Sequence, residues 1–447
     1  MLSKGSKVHF VGLTSPFPSF CAQLLYDRGV VLTASEVNQD SKMGEYWRSK
    51  GVLYAGGHSE NYVTADLDLV VFPNGPIPGN PECEKADALG IKICTVGELL
   101  GEITKDYKTI AVAGTHGKTT TTAAIVWVLE SLGQRPSFVL GGNDDLIIGM
   151  AKSWSYRTDA QYFVVEACEY KRQFLDRAPS PYISVITHIG LDHTDYYKDQ
   201  DDYNNAFVEF IGNTQKAVVL DGQGVNERRV LESLTGFSRT VVDVSKYRGT
   251  VFPIKTKIKG VHNQENLLRA FLACIQTGID EKDVLNALAQ FPGVTSRFEP
   301  VGLTPNGNSV IKDYAHNPEK VSACLATAKQ EYPDKKVIFI FQPHSYERTA
   351  HFKDEYAHAI SNADVVVVPN IYAPAREKDE YGNLIDAKGF VDYLLQKNAN
   401  KPIFYTIDFA RTLAELKKID ALEKGSAVFV LASAGDLFKI VPDLIQK

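Results

Sequence analysis

Lys118 and Thr119, at the end of Gly114-Thr115-His116-Gly117-Lys118-Thr119-Thr120, are the residues of this chain best suited to handling phosphate. The apolar run Thr109-Ile110-Ala111-Val112 precedes them, and a helical pattern from Ala123 to Leu132 comes after. A strand, a glycine loop and a helix start in that order cradle an anion. Glycines let the backbone fold tightly around it, and unpaired N–H groups at the helix start point at it. Lys118 can reach β- and γ-phosphates, and the Thr119 hydroxyl can bind Mg²⁺. Val112 stands where the full G-x-x-x-x-G-K-T pattern has its first glycine, so the loop is a variant. An ordinary helix cap is the competing reading. The strand before the loop and the threonines after it favour a nucleotide-dependent enzyme.

Other candidates lie where further strands should end. Glu166 closes Phe163-Val164-Val165-Glu166, and Glu169 comes three residues later. A carboxylate at a strand end beside a phosphate loop suits Mg²⁺, although a salt-bridged loop glutamate fits the same residues. Asp192-His193 lies just past the strand Ile183 to Thr187 and can hold a second cation, steer an amine or cap a helix. His262, Asn263 and Asn266 precede a helix read as Leu267 to Thr277; they can cap it or bind a purine edge. Arg297 sits in a turn between units, a place for a cation that meets phosphate on closure. Asp313-Tyr314-Ala315-His316 and Pro343-His344-Ser345-Tyr346-Glu347-Arg348 each come after a strand. Arg348 can clamp a carboxylate or be a surface arginine.

These residues need scaffolds. Short β-branched runs alternate with helical patterns almost throughout the 447 residues, which predicts an α/β fold with parallel sheets in about three domains. Strands are expected at Val8 to Leu13, Val30 to Ala34, Leu67 to Phe72 and Ile91 to Thr95, before a polar linker, Glu102 to Tyr107. Thr109 to Ala113, Tyr162 to Glu166, Ile183 to Thr187 and Ala217 to Leu220 form a second set. Ser309 to Asp313, Lys336 to Gln342, Val365 to Pro369, Pro402 to Thr406 and Ala427 to Ser433 form a third. The boundaries expected are 1–106, 107–298 and 299–447.

A net charge of −6 argues against a chain-wide nucleic-acid footprint. Six scattered cysteines without a C-x-x-C pair fit reduced thiols in a cytoplasmic protein. No apolar run reaches membrane-spanning length, and no signal-peptide pattern opens the chain.

Together the motifs resemble the Mur ligase family, ATP-dependent amide-bond-forming enzymes of peptidoglycan assembly. The resemblance runs from about residue 107 to 440 and rests on Gly114 to Thr120, Glu166 with Glu169-Tyr170, Asp192-His193, His262-Asn263 with Asn266, Phe291 to Phe298, Asp313 to His316 and Phe341 to His344. It implies a Rossmann-like N-terminal domain for a UDP-sugar, a central P-loop ATPase domain and a Rossmann-like C-terminal domain for an amino acid. It also implies ATP and Mg²⁺ as cofactors, small-molecule substrates only, and a monomer or homodimer. Lys118, Glu166 and His193 become the catalytic set, with Thr119, Glu166 and His193 on metal. Gly114 to Thr120 hold phosphate; Asn263, Asn266 and Arg297 take adenine and phosphate, Asp313 takes ribose, and His316 and Arg348 lie near the amino acid.

Glu-Ala-Cys-Glu-Tyr and Pro-His-Ser-Tyr-Glu-Arg-Thr look most like the alanine-adding branch, which joins L-alanine to UDP-N-acetylmuramate through an acyl phosphate. No lysine occurs between Asp199 and Gln215, where several sister ligases carry a carbamylated one. A recycling ligase adding a tripeptide to the same sugar, or a ligase with another acid, is the alternative. Two places depart from the pattern. Gly12-Leu13-Thr14-Ser15-Pro16-Phe17-Pro18 replaces a glycine-rich loop, leaving Thr14, Ser15 and Ser19 as diphosphate donors, and Ser345 and Asn317 replace the usual Arg and His.

Overall fold

The computed structural model describes residues 2–37, 40–54, 56–73, 79–142, 146–150, 153–175, 180–193, 196–251, 253–372 and 384–445. Strand and helix alternate as the patterns require, and the strands gather into three sheets. The first sheet runs Val31–Ser35, Lys7–Val11, Leu69–Phe72, Ile93–Thr95, all parallel. The second runs Thr240–Asp243, Ala217–Leu220, Ile183–Ile186, Lys108–Ala113, Tyr162–Glu166, Ser137–Val139, Trp154–Ser155, with only the last pair antiparallel. The third runs Glu299–Leu303, Ser309–Asp313, Ala427–Ala432, Lys336–Phe341, Val365–Val368, Ile403–Tyr405, its first pair antiparallel. The predicted α/β class with parallel sheets is the observed one.

The chain forms two compact units, Met1–Lys257 with Glu265–Pro292, and Ile258–Gln264 with Gly293–Lys447. In the first unit one apolar core joins two sheets. The helix Pro16–Asp27 buries Phe20 with its ring 5.1 Å from that of Phe163 in the second sheet, and Phe17 lies 4.7 Å from Phe174. Each such phenyl contributes about 1.5–3 kcal/mol on leaving water. Four central strands of the second sheet, Lys108–Ala113, Tyr162–Glu166, Ile183–Ile186 and Ala217–Leu220, are buried almost along their length, as expected of parallel strands covered on both faces.

Several expectations need correction. Glu102 and Ile103 are not linker but the last turn of Val96–Ile103, whose start carries a capping box between Thr95 and Glu98. The helix read from Leu267 starts at Val261 and ends at Ile275. After Val261 its residues 262–266, His-Asn-Gln-Glu-Asn, lack the apolar spacing by which helices are recognised. Its start is instead set by Gly260, at φ +95°, whose carbonyl accepts from the amides of Asn263 and Gln264 at 3.1 Å. Four strands carried too little signal. Ser137–Val139, Trp154–Ser155 and Thr240–Asp243 have two to four residues each. Glu299–Leu303 contains Pro300 and Gly302, which only an edge strand with a bulge tolerates.

Candidate functional site

In the second sheet the strand Lys108–Ala113 is flanked by Ile183–Ile186 on one side and Tyr162–Glu166 on the other. The chain leaves the central strand to opposite sides, which opens a crevice at the carboxyl ends. Three loops meet there: Gly114 to Gly117, the segment after Glu166, and 187–193. Thr194 and Asp195 lie outside the described residues.

The loop leads directly into the helix Lys118–Ser131. Gly114 and Gly117 adopt φ +128° and +82°, so neither position suits a side chain. Thr115 ties the loop down: its hydroxyl donates to the Gly190 carbonyl at 2.6 Å and lies 3.0 Å from the Tyr203 hydroxyl. The His116 ring lies 6.0 Å from His188. Thr119 and Thr120 are buried in the first helical turn. The Thr119 hydroxyl donates to Glu166 Oε1 at 3.0 Å, and the Gly141 amide donates to Glu166 Oε2 at 3.0 Å. A hydroxyl and a carboxylate in contact at a helix start are the donor set of a hard cation.

Lys118 does not extend into the crevice. Its ammonium donates to the Gly114 carbonyl at 2.6 Å and pairs with Glu169, 2.9 Å from Oε2 and 3.1 Å from Oε1. His193 Nε2 lies 3.6 Å from the same carboxylate, and His193 itself has φ +54°. Glu169 is 1% exposed. Burial opposes its charge, but Lys118 and then His193 outweigh that and hold its pKa down to about 2. Burial likewise opposes the Lys118 charge, yet Glu169, Cys168 and Glu166 raise its pKa above the ordinary value.

A carboxyl with a lowered folded pKa binds its proton more readily in the unfolded chain, so it contributes stability at neutral pH. That contribution is complete above the ordinary carboxylate range near 4.3 and is lost as the pH falls through about 2. Thermal midpoints measured from pH 5 downward should fall less steeply for Glu169→Gln than for the parent chain.

Asp192 Oδ1 accepts from the His193 amide at 2.8 Å, and the next helix, Gln200–Gly212, is capped by Asp199. Asp192-His193 therefore does not cap that helix, and the capping alternative fails for His262, Asn263 and Asn266, which lie inside theirs. The Asn263 amide donates to the Lys259 carbonyl at 2.7 Å. Asn266 packs its side chain against Gly117 and accepts from the Thr121 hydroxyl through its carbonyl at 3.5 Å. The first unit thus brings together the whole glycine loop, Glu166, Glu169, Asp192, His193 and Asn266.

In the second unit the carboxyl ends of Ser309–Asp313, Ala427–Ala432 and Lys336–Phe341 are in register. Asp313 accepts from the amides of Phe298 at 2.7 Å and Ala315 at 2.8 Å. The Arg297 guanidinium stacks 4.6 Å from the Tyr314 ring. Burial, and then the Arg297 charge, push His262 down to about 4, so it is neutral at pH 7. His316 Nδ1 lies 2.9 Å from the Tyr314 carbonyl, and the His316 and His344 rings are 6.0 Å apart. Arg348 lies in the first turn of Tyr346–His351, where the Ser345 hydroxyl accepts its amide at 3.3 Å.

The first loop departs from its expectation at one residue. Ser19 is fully buried, donating to the Leu13 carbonyl at 2.6 Å and accepting from the Trp47 indole at 3.0 Å. Its hydroxyl is committed to these two internal bonds. Glu36, which the motifs did not single out, occupies the loop amides instead. Its Oε2 accepts from Leu13 and Thr14 amides at 3.1 Å each and from the Thr14 hydroxyl at 2.8 Å.

Residues 112–228 match the Mur ligase middle domain, and residues 296–434 match the Mur ligase glutamate ligase domain. A UDP-N-acetylmuramate–L-alanine ligase of Agathobacter rectalis is 33% identical over 100% of this chain and 99% of that protein. One of Clostridium botulinum is 32% identical over 98% of this chain and 97% of its own length. The crystal structure of a UDP-N-acetylmuramate–alanine ligase from Thermotoga maritima superposes with a TM-score of 0.74 at 26% identity, over 98% of both chains. A murein peptide ligase from Psychrobacter arcticus shares the fold, with a TM-score of 0.68 at 21% identity over 98% of both. Among the described residues no helix is long and apolar enough to cross a membrane.

Proposed function

Because the chain belongs to the Mur ligase family, we propose that it joins L-alanine to the carboxylate of UDP-N-acetylmuramate, using ATP, in peptidoglycan precursor synthesis. The observation that carries this reading is the gathering of the glycine loop, Lys118, Thr119, Glu166 and His193 beyond adjacent strand ends. The full-length likeness to alanine-adding ligases supports the substrate.

A carboxylate is a poor acyl donor. The γ-phosphoryl group of ATP converts it to an acyl phosphate, ADP leaves, and the alanine amine attacks the activated carbonyl. Phosphate departs from the tetrahedral adduct, so an amide forms for one ATP cleaved. The loop amides from Gly114 to Thr120 orient the triphosphate, and Lys118 neutralises charge on the transferring group. Mg²⁺, which the Thr119 hydroxyl and Glu166 suit in donor type, with His193 suited to a second ion, would supply further charge neutralisation when bound. Asn263 and Asn266, side-chain amides three residues apart on one helix, suit adenine. Arg297 suits phosphate. Asp313 keeps lone pairs beyond the two it gives to backbone amides, which suits ribose hydroxyls. A neutral His316 and the Arg348 cation suit the amine and carboxylate of an amino acid; burial, and next Lys320, hold His316 well below its ordinary pKa.

The domains divide as 1–106 for the UDP-sugar, 107–298 for ATP and 299–447 for the amino acid, in a cytoplasmic enzyme with no nucleic-acid or membrane partner. In the first domain the substrate diphosphate competes with the Glu36 carboxylate for the same amides. Glu36→Gln, which keeps an acceptor but removes the charge, should raise affinity for UDP about tenfold, or 1.4 kcal/mol, with little change for uridine; calorimetric titration of both ligands checks this. Mass spectrometry of the product tests the function itself. A species heavier than UDP-N-acetylmuramate by one alanyl residue supports it, and preference for the tripeptide over alanine refutes it.

A further inference from the structure

The motifs assign His193 to metal and Lys118 to phosphate but leave Glu169 without a task, although it touches both. We propose that Glu169 is an exchangeable ligand. It holds Lys118 in the nucleotide-free chain and passes to a divalent cation, shared with Asp192 and His193, when a triphosphate takes Lys118 away.

The geometry carries this in three steps. Donor atoms of Glu169, Asp192 and His193 lie within 4.8 Å of one another, close enough for one ion. Two carboxylate oxygens and one imidazole nitrogen suit Mg²⁺ or Mn²⁺ better than a soft metal. Glu169 is anchored from behind: its backbone carbonyl accepts from the Tyr197 hydroxyl at 2.5 Å and the Arg172 amide at 2.9 Å, so its main chain keeps its place beside Asp192 and His193 when Lys118 leaves.

Lys118 spans both oxygens of Glu169, at 2.9 and 3.1 Å. It cannot also extend to a phosphate. Once it does, a carboxylate with 1% exposure has lost its cation, and an unpaired buried charge is costly. A divalent ion at the adjacent donors removes that cost. Triphosphate and second cation therefore bind with positive coupling, each favouring the arrangement that the other needs. This deepens the ligase reading and rests on it for the triphosphate.

Mn²⁺ binding followed by electron paramagnetic resonance, with and without a non-hydrolysable ATP analogue, tests the exchange without turnover. The expected result is a second Mn²⁺ that binds the parent chain tightly only when the analogue is present. Glu169→Gln should weaken that second ion by about 10- to 100-fold while metal-free analogue binds as well or better, since Lys118 is released. Asp192→Asn leaves the Lys118–Glu169 pair intact and guards against a folding defect. It should weaken the second ion likewise, without altering metal-free analogue binding. A second Mn²⁺ indifferent to the analogue, or unchanged in both variants, overturns the exchange. A parent chain that binds no analogue overturns the nucleotide reading and the exchange together. Intact Mn²⁺ coupling in a chain that forms no alanyl product overturns the substrate assignment alone.

Discussion

Lys118→Ala should lower ATP-dependent turnover by about three orders of magnitude, the scale seen when a preorganised charge is taken from a phosphoryl-transfer site. Here the substitution also strands Glu169, whose partners are Lys118 and His193. Breaking a buried pair from one side costs about 3–5 kcal/mol, so the single variant should melt earlier as well as turn over slowly. The two effects separate in a double variant. Lys118→Ala with Glu169→Gln removes the stranded charge, and its melting temperature should return most of the way to that of the parent. Its turnover should not recover. Recovery of turnover along with stability would mean that Lys118 supports the fold and not the phosphoryl group.

The second large effect concerns the glycines of the loop, which differ in what surrounds them. A Cβ on Gly114 would meet Thr187 Oγ1 at 2.3 Å and the backbone oxygen and nitrogen of His188 at 2.7 and 2.9 Å. Those atoms cannot yield, because the His188 carbonyl accepts the Thr115 amide at 2.8 Å and Thr187 is tied to the Ala113 carbonyl. At φ +128° an L-residue is strained in any case. Gly114→Ala should cost about 3 kcal/mol or more, as strain of about 1–3 kcal/mol adds to overpacking of similar size, and nucleotide binding should be lost. A Cβ on Gly117 instead meets the end of one side chain, Asn266 Oδ1 at 2.2 Å. Gly117→Ala should therefore be partly rescued by Asn266→Gly, whereas nothing at a single side chain rescues Gly114→Ala. Denaturant melts and nucleotide titrations of Gly114→Ala, Gly117→Ala and the double variant Gly117→Ala with Asn266→Gly read both outcomes. Equal behaviour of the two glycines would contradict the geometry.

Legibility in the sequence depends on where the signal resides. Loop residues next to long apolar strands were readable, because a buried parallel strand announces itself as an unbroken β-branched run and its carboxyl end places the loop behind it. Tyr162 to Glu166 and Ser309 to Asp313 fall where the pattern placed them. Relations across long sequence separations were not readable. Nothing near Thr115 points to Tyr203, and nothing near Gly12 points to Glu36. Glu169 was visible as the second glutamate of E-x-x-E, yet its pairing with Lys118 depends on how tightly the loop curls, which spacing does not report. The start of the helix at Val261 was hidden because residues 262–266 are all polar, and periodicity recognises only helices with an apolar stripe. Ser19 misled for the opposite reason. A serine near a helix start suggests an anion site, and only packing reveals that Trp47 and Leu13 have claimed it.

A ligase of this kind must couple ATP cleavage to amide formation between UDP-N-acetylmuramate and L-alanine in one site. Phosphate release measured with Mg-ATP, the UDP-sugar and alanine, each omitted in turn, reads that coupling without intermediaries. Release that requires all three, and that disappears in Lys118→Ala, is the predicted result. Release from ATP alone, or ATP binding with no release in the complete mixture, would contradict it.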